Sequence, residues 1–437
     1  MRTKHITLWL SALVLLSAFA LWSGRLADPF IGRHDNNTAF ITLAAQNYWR
    51  YGHLNLGFAQ TLDADPSRST PSYYYNNHPP LTSLLVSLAL PAFGDNELTA
   101  RLVIIFFMLL GAAALFRFVK RYTDAVTAFW ALLFYLAAPL VAYYGQMMNH
   151  EPLVLSLFLL TLSPYLYLTR VPSTRGYAAV AALTAMMVLA AWQALFFVGA
   201  LVVHGFFFAV QRGRLVLTLA TSATLTLAGW LLLMTLYVPD FWQTLLGAFT
   251  LRSGGAERPW SGLPDYAWQI AWGRLRPGYT EALLVLAFLG GLFLLWRFAR
   301  VKNRSSTGLI LLILVPAMLQ VIVFSEQTFR HDYTLLYFAP GLALLGAHGL
   351  LLIWRTAANQ PSMIRYALRG FAIVALIAFA GTRLASNIDW WPAVWYYAER
   401  DVIGSTSDDT RLPYMHCSNT LGPANAVQAG GLSCTFD

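Results

Sequence analysis

The stretch 98-LTARLVIIFFMLLGAAALF-116 decides the fold class. It holds one charge, Arg101, and as a helix it covers the hydrocarbon of a bilayer, which takes about 20 apolar residues. It runs directly into Arg117, Lys120 and Arg121, the basic flank that marks a cytoplasmic end. The pattern recurs at Ile6 to Trp22, Ala125 to Tyr144, Pro152 to Leu168, Tyr177 to Ala191, Gln193 to Val210, Leu215 to Val238, Glu281 to Trp296, Gly308 to Phe324, Tyr333 to Ile353 and Leu368 to Leu384. Composition agrees. Of 437 residues, 57% are hydrophobic, 15% aromatic and only 11% charged, where a soluble domain carries roughly 25% charged. A disordered chain and a water-soluble globule are both excluded. The expectation is an all-α polytopic membrane protein with about 11 transmembrane helices.

Charge fixes the threading. Met1-Arg2-Thr3-Lys4 ahead of the first apolar run reads either as a signal peptide or as the flank of an uncleaved helix. No small-x-small cleavage site precedes Ser23, so the uncleaved helix is preferred and the N-terminus is placed in the cytoplasm. Eleven spans from that start put sixteen of the 29 basic residues on short inner connections, with Asp124 the only acid there. The outer side keeps 13 basic and 19 acidic residues. That bias is the positive-inside rule, so the net charge of +9 reports topology and not nucleic-acid binding. The reading is a multi-pass protein of the cell inner membrane, with a transmembrane domain over 1–386 and a small outer tail over 387–437. Long outer connections are expected at 23–97 and 239–280. Within the first, Pro79 to Phe93 is apolar but too short to cross, so it is placed as an interfacial helix. Cys417 and Cys434 fall in the outer tail, where a disulfide and two free thiols are both open readings.

Ionisable groups near membrane depth are costly and therefore informative. Four outer clusters stand out: 33-RHDNNTAF-40, 73-YYYNNHPPL-81, 149-NHEP-152 and 326-EQTFRHDY-333. Each has a structural explanation. Asp35 could simply cap a helix, Pro79-Pro80 suits a helix start, Glu151 complements a helix N-terminus, and Arg330 could pair with Asp332. All four on one face are harder to explain by structure alone.

The Asp35 loop after the first span, the Tyr-Tyr-Asn-x-His-Pro-Pro-Leu segment and the Asn-His-Glu-Pro turn resemble the GT-C superfamily of integral-membrane glycosyltransferases, in particular the family 39 group. That group includes protein mannosyltransferases and the aminoarabinose transferase of lipid A. The resemblance covers Ile6 to Val210 and continues more loosely through His331-Asp332-Tyr333 to Gly349. It implies transfer of a sugar from a polyprenyl-phosphate carrier to an acceptor hydroxyl on the outer face, with inversion, and it places Asp35 at the catalytic aspartate. Two positions depart from the pattern. Asn36 follows Asp35 where many relatives have Glu, and His78 precedes the prolines where aminoarabinose transferases have Lys, which argues against that sugar.

Elementary chemistry assigns roles independently. An inverting displacement needs a carboxylate to take the acceptor's proton while phosphate leaves from the opposite face of the sugar. Asp35 is the candidate base, and Glu151 a second catalytic candidate that positions the acceptor. The departing phosphate needs cations or N–H donors. Arg330 and His331 lead, because a guanidinium fork matches two phosphate oxygens, with His78, His150, Asp332 and Tyr75 completing the substrate-binding set. A divalent ion, Mg or Mn, held by Asp35 and Glu151 is an open possibility, whereas Asp63-Ala64-Asp65 reads as an ordinary polar loop. Outer aromatics such as Trp268 and Trp272 suit sugar faces, but the interfacial belt explains most of them. Expected partners are the lipid-linked donor, a glycan, lipid or protein acceptor, and membrane lipids. A transporter or lipid flippase with a His150, Glu151 and Asp332 relay is the alternative, weakened because almost every acid sits at an outer end.

Overall fold

The computed structural model describes residues 2–24, 26, 35–62, 74–75, 77–254, 263–300 and 305–389, together with short strand segments between 405 and 435. These residues are nearly all helical. Helix α1 spans Arg2–Ser23, α2 Asp35–Tyr51, α3 Leu81–Phe93, α4 Glu97–Tyr122, α5 Ala125–Ala137, α6 Pro139–Tyr144, α7 His150–Leu168, α8 Thr174–Ala190, α9 Ala194–Phe208 and α10 Arg212–Tyr237. Then come α11 Phe241–Ser253, α12 Leu263–Ile270, a π turn Ala271–Leu275, α13 Arg276–Tyr279, α14 Glu281–Arg300, α15 Ser305–Val323 and α16 Ser325–Arg330. A 3-10 helix Asp332–Phe338 leads into α17 Ala339–Ala358, and α18 spans Ser362–Asp389.

Every stretch expected to span falls on helix, with two internal corrections. Ala125 to Tyr144 is broken between α5 and α6, because Pro139 has no N–H to continue the ladder and pushes Ala138 out of helical geometry (ψ 131°). The segment from Tyr333 starts as the 3-10 helix and becomes α-helical only at Ala339. Six helices are long and apolar enough to cross alone, while α5, α8, α9 and the described part of α15 are shorter. At 1.5 Å per residue the 13 residues of α5 reach only about 20 Å. The described residues of the connection 239–280 are themselves mostly helical. Its ends are marked by two non-glycine residues in the left-handed region, Asp240 (φ 54°) and Thr280 (φ 65°), and at the second the chain bends by 104° into α14.

Close approach holds the bundle together. A Cβ on Gly290 of α14 would meet the backbone of Leu345, and one on Gly349 of α17 the backbone of Leu286. The two helices therefore touch main chain to main chain, the membrane solution to packing without a hydrophobic driving force. Gly111 of α4 similarly lies against Ser156 of α7. Helix α7 is buried along most of its length, which sets its N-terminal His150 and Glu151 at the head of the bundle.

Contacts between helix ends agree with the threading. At the end read from sequence as inner, Arg355 pairs with Asp124 at 3.2 Å, Arg214 lies over Tyr177 at 4.5 Å and Arg170 over Tyr122 at 5.6 Å. The residues assigned to the outer end meet one another in the same way. In the tail, strand β1 Ser405–Ser407 pairs with β2 Thr410–Tyr414, and β3 His416–Cys417 with β4 Cys434–Thr435. Both ladders are antiparallel, and the second sets Cys417 opposite Cys434.

Candidate active site

Three of the four outer clusters meet through rings, and the fourth joins them by a hydrogen bond. Tyr75 stacks on His150 at 6.0 Å and 6°, on His78 at 6.2 Å, and on Phe40 of α2 at 6.1 Å. The two imidazoles lie face to face, 4.3 Å apart. Asn37, in the first turn of α2, donates to the Tyr333 hydroxyl at 3.2 Å, and His331 stacks on Tyr333 at 5.1 Å. The start of α2, the loop ahead of α3, the head of α7 and the 331–333 segment therefore surround one volume.

Local hydrogen bonds fix this arrangement. Gln60 donates to the carbonyls of Tyr75 and His78, at 3.0 and 2.8 Å, and accepts from Ser83 at 2.5 Å. Trp192, in the break between α8 and α9, donates to the Asn77 carbonyl at 2.8 Å. Thr82 and Nδ1 of His150 are 2.8 Å apart. Tyr144 donates to the buried Asp332 carboxylate at 2.6 Å, so Asp332 is held on α6 and not by Arg330.

Burial then shapes the chemistry. His78 is 5% exposed, His150 and Glu151 1% each. His78 Nδ1, His150 Nε2 and Glu151 Oε2 have no hydrogen-bond partner among the described residues. Burial first, then the neighbouring His150 and Arg252, push the His78 imidazole well below its ordinary value, so it is a neutral ring near pH 7. Burial also raises the Tyr75 phenol to about 12, with Arg252 opposing and Glu151 adding to the shift.

Arg252, near the end of α11, is the residue sequence reasoning missed. Its charge acts on Tyr75, His78, His150, Glu151 and Tyr333, and among the described residues it makes no hydrogen bond or ion pair. Arg330 instead pairs with Glu326 one turn back, at 2.7 Å, with its side chain 56% exposed. The sequence signal for Arg252 was a single Arg at the end of an otherwise uncharged outer stretch, 245-LLGAFTLRSGG-255. Asp35 opens α2, two residues before Asn37, and its side chain lies outside the described part of the structure. Tyr73, Asn76, Asp63, Asp65, Trp260 and the tail aromatics from Trp390 to Tyr397 also lie outside it. Trp268 and Trp272 stack on one another at 5.2 Å on the exposed face of the outer helices, a belt-like position.

The crystal structure of ArnT from Cupriavidus metallidurans bound to undecaprenyl phosphate matches with a TM-score of 0.57 at 17% identity, over 89% of this chain and 74% of that one. The Archaeoglobus fulgidus oligosaccharyltransferase in complex with Zn and sulfate matches at 0.54 and 14% identity, over 85% and 52%. The same enzyme tethered to an acceptor peptide containing the NVT sequon matches at 0.55, over 87% and 55%. This is the GT-C fold. The family described as dolichyl-phosphate-mannose-protein mannosyltransferase matches residues 77–242. That range holds His78, His150 and Glu151 and leaves out Asp35, Arg252 and the 330–333 segment. No curated protein sequence matches. The expected likeness of fold to the GT-C glycosyltransferases is borne out, and the protein is a multi-pass membrane protein.

Among the described residues no three His, Cys, Asp or Glu side chains are grouped so as to hold a metal. The cluster as described thus offers stacked imidazoles, two buried carboxylates, Glu151 and Asp332, and the guanidinium of Arg252. Imidazoles, carboxylates and a guanidinium can between them bind hydroxyl groups and an anion.

Proposed function

We propose that the protein is an inverting glycosyltransferase that moves a sugar from a polyprenyl-phosphate donor to an acceptor hydroxyl on the outer face of the inner membrane, with its N-terminus in the cytoplasm. The observation that carries this reading is the meeting of the α2 start, the Tyr75–His78 loop, the α7 head and the 331–333 segment within reach of the Arg252 charge. The bound lipid of the ArnT structure, undecaprenyl phosphate, supports the donor class. The acceptor peptide of the oligosaccharyltransferase supports an acceptor presented from outside.

In the proposed mechanism Asp35 takes the acceptor's proton as its oxygen attacks the anomeric carbon, and the C1–O bond to phosphate breaks with its electron pair going to phosphate. Arg252 meets that developing charge, taking the role first expected of Arg330, in a setting where little water competes. Neutral His78, with His150 stacked on it, orients polar groups of the substrates, and Glu151 positions the acceptor. No step is routed through a metal.

Asp35→Asn tests the base. Transfer by the purified variant is expected to fall by about 10²-fold or more, the scale of a lost general base, with folding and membrane insertion retained. Near wild-type transfer would falsify the mechanism.

A further inference from the structure

The C-terminal tail carries a pair of residues that the proposed chemistry does not use. The chain has two cysteines, Cys417 and Cys434, and they meet as partners in its shortest ladder. Strands β3 and β4 pair antiparallel, with His416 opposite Thr435 and Cys417 opposite Cys434. Directly opposed residues of such a ladder have Cα atoms about 4.5 or 5.5 Å apart and project from the same face. Both spacings fall within the range of about 4.4–6.8 Å that a disulfide spans.

The ladder needs a tie. Each of its strands is two residues long, and even a full hairpin is marginal in water by itself. The ladder closes over 418-SNTLGPANAVQAGGLS-433, a stretch without a charged or aromatic residue that holds Gly422, Pro423, Gly430 and Gly431. Joining the ends of such a segment costs conformational entropy that two backbone pairs do not return, whereas a covalent bond between the opposed positions lowers that cost by constraining the unfolded chain. The same bond bears on the candidate active site. Strand β2 packs against α2, the helix that opens with Asp35 and carries Asn37 in its first turn, and Met415 alone separates β2 from β3. Whatever fixes β3 therefore also fixes the strand that lies on α2.

We propose that Cys417 and Cys434 form a disulfide, and that this bond keeps the tail strands on α2. It rests on the orientation proposed above, which sets the tail outside, because an oxidising compartment is what maintains such a bond. The oxidant is a protein disulfide. The thiolate of one cysteine attacks it to give a mixed disulfide, and the thiolate of the other displaces the oxidant as the Cys417–Cys434 bond forms. The oxidant leaves as its dithiol, carrying the two electrons and the two protons that the cysteines gave up.

Because the chain has no other cysteine, thiol labelling reads this pair alone. The full-length protein in right-side-out membrane vesicles is treated with a membrane-impermeant maleimide bearing a polyethylene glycol tag, with and without prior reduction by an impermeant phosphine. The expected result is no tag without reduction and two tags after it, and non-reducing digestion with mass spectrometry should show the Cys417 and Cys434 peptides joined. Tags gained without reduction overturn the disulfide. Tags gained without reduction, but only once a denaturing detergent opens the vesicles, overturn the orientation as well. Tags that need both detergent and reduction keep the bond and overturn the orientation alone. A second arm reads the hold on α2 through Arg411, which lies within β2. Trypsin should cut there at least about tenfold faster in a chain carrying both Cys417→Ser and Cys434→Ser than in oxidised wild type, since cleavage follows the population of the opened segment. Equal rates would overturn the hold on α2.

Discussion

The two ends of this bundle spend their polar residues differently. At the end read from sequence as inner, charges stay near water. Asp124 keeps 43% of its side chain exposed and Arg355 65%, and Arg214 and Arg170 lie over tyrosine rings. At the outer end His78, His150, Glu151 and Asp332 are buried, and several of their polar atoms have no partner among the described residues. Exposed ion pairs cost little and contribute little, whereas an orphaned buried polar atom costs about 1–3 kcal/mol. Stability explains the inner end and does not explain the outer one. On the proposed function, what the outer end gains is an arrangement that suits a phosphorylated sugar donor.

The largest test of this contrast is a pair of arginines. Arg252→Ala is expected to lower transfer by about 10²-fold, the scale of losing one preorganised charge partner of a departing anion. Arg330→Ala should change it less than about threefold, because that side chain is exposed and already paired. Steady-state transfer assays on both variants measure this, and equal losses would erase the distinction drawn between them.

A smaller effect is expected in pH. The His78 value is depressed by burial, so above about pH 6.5 the ring is neutral in both folded and unfolded chains. Below that the unfolded chain binds a proton that the folded site refuses, and stability declines as pH falls toward the folded value. Unfolding midpoints in detergent between pH 7.5 and 5 should therefore drop, and His78→Gln should flatten the slope. An unchanged slope in the variant would remove His78 from the buried, neutral role.

The smallest effect belongs to the inner end. Burial raises the Asp124 carboxyl, but hydrogen bonds from the Thr127 backbone and side chain and from Arg355 outweigh it and hold the group below its ordinary value. The stability this contributes is present above the unfolded value and is lost as pH falls through the folded one. Arg355→Ala should cost about 0–1 kcal/mol, as exposed pairs do, with transfer unchanged. A large loss of transfer there would mean that the inner end is more than scaffold.

Much of this was legible in the sequence for a physical reason. Apolar runs and flanking charges are local, so the helical stretches and the common outer face of the four clusters can be read without coordinates. Pro139 even carried the signal for the break between α5 and α6. Arg252 was not legible, because its relation to His78 and Glu151 depends on how the end of α11 packs against α16, where Ser325 donates to the Ser253 carbonyl. The Arg330 assignment followed from the match of a guanidinium fork to phosphate, and the structure pairs that side chain with Glu326, while Asp332 accepts from Tyr144.

The most direct measurement is mass spectrometry of lipid-linked sugars extracted from cells that lack the protein, carry wild type, or carry Asp35→Asn. The account predicts that the deletion and the Asp35→Asn strain accumulate the same polyprenyl-phosphate sugar, and that wild type clears it. Clearance by Asp35→Asn as complete as by wild type, or no lipid-linked sugar rising in either strain, would contradict it.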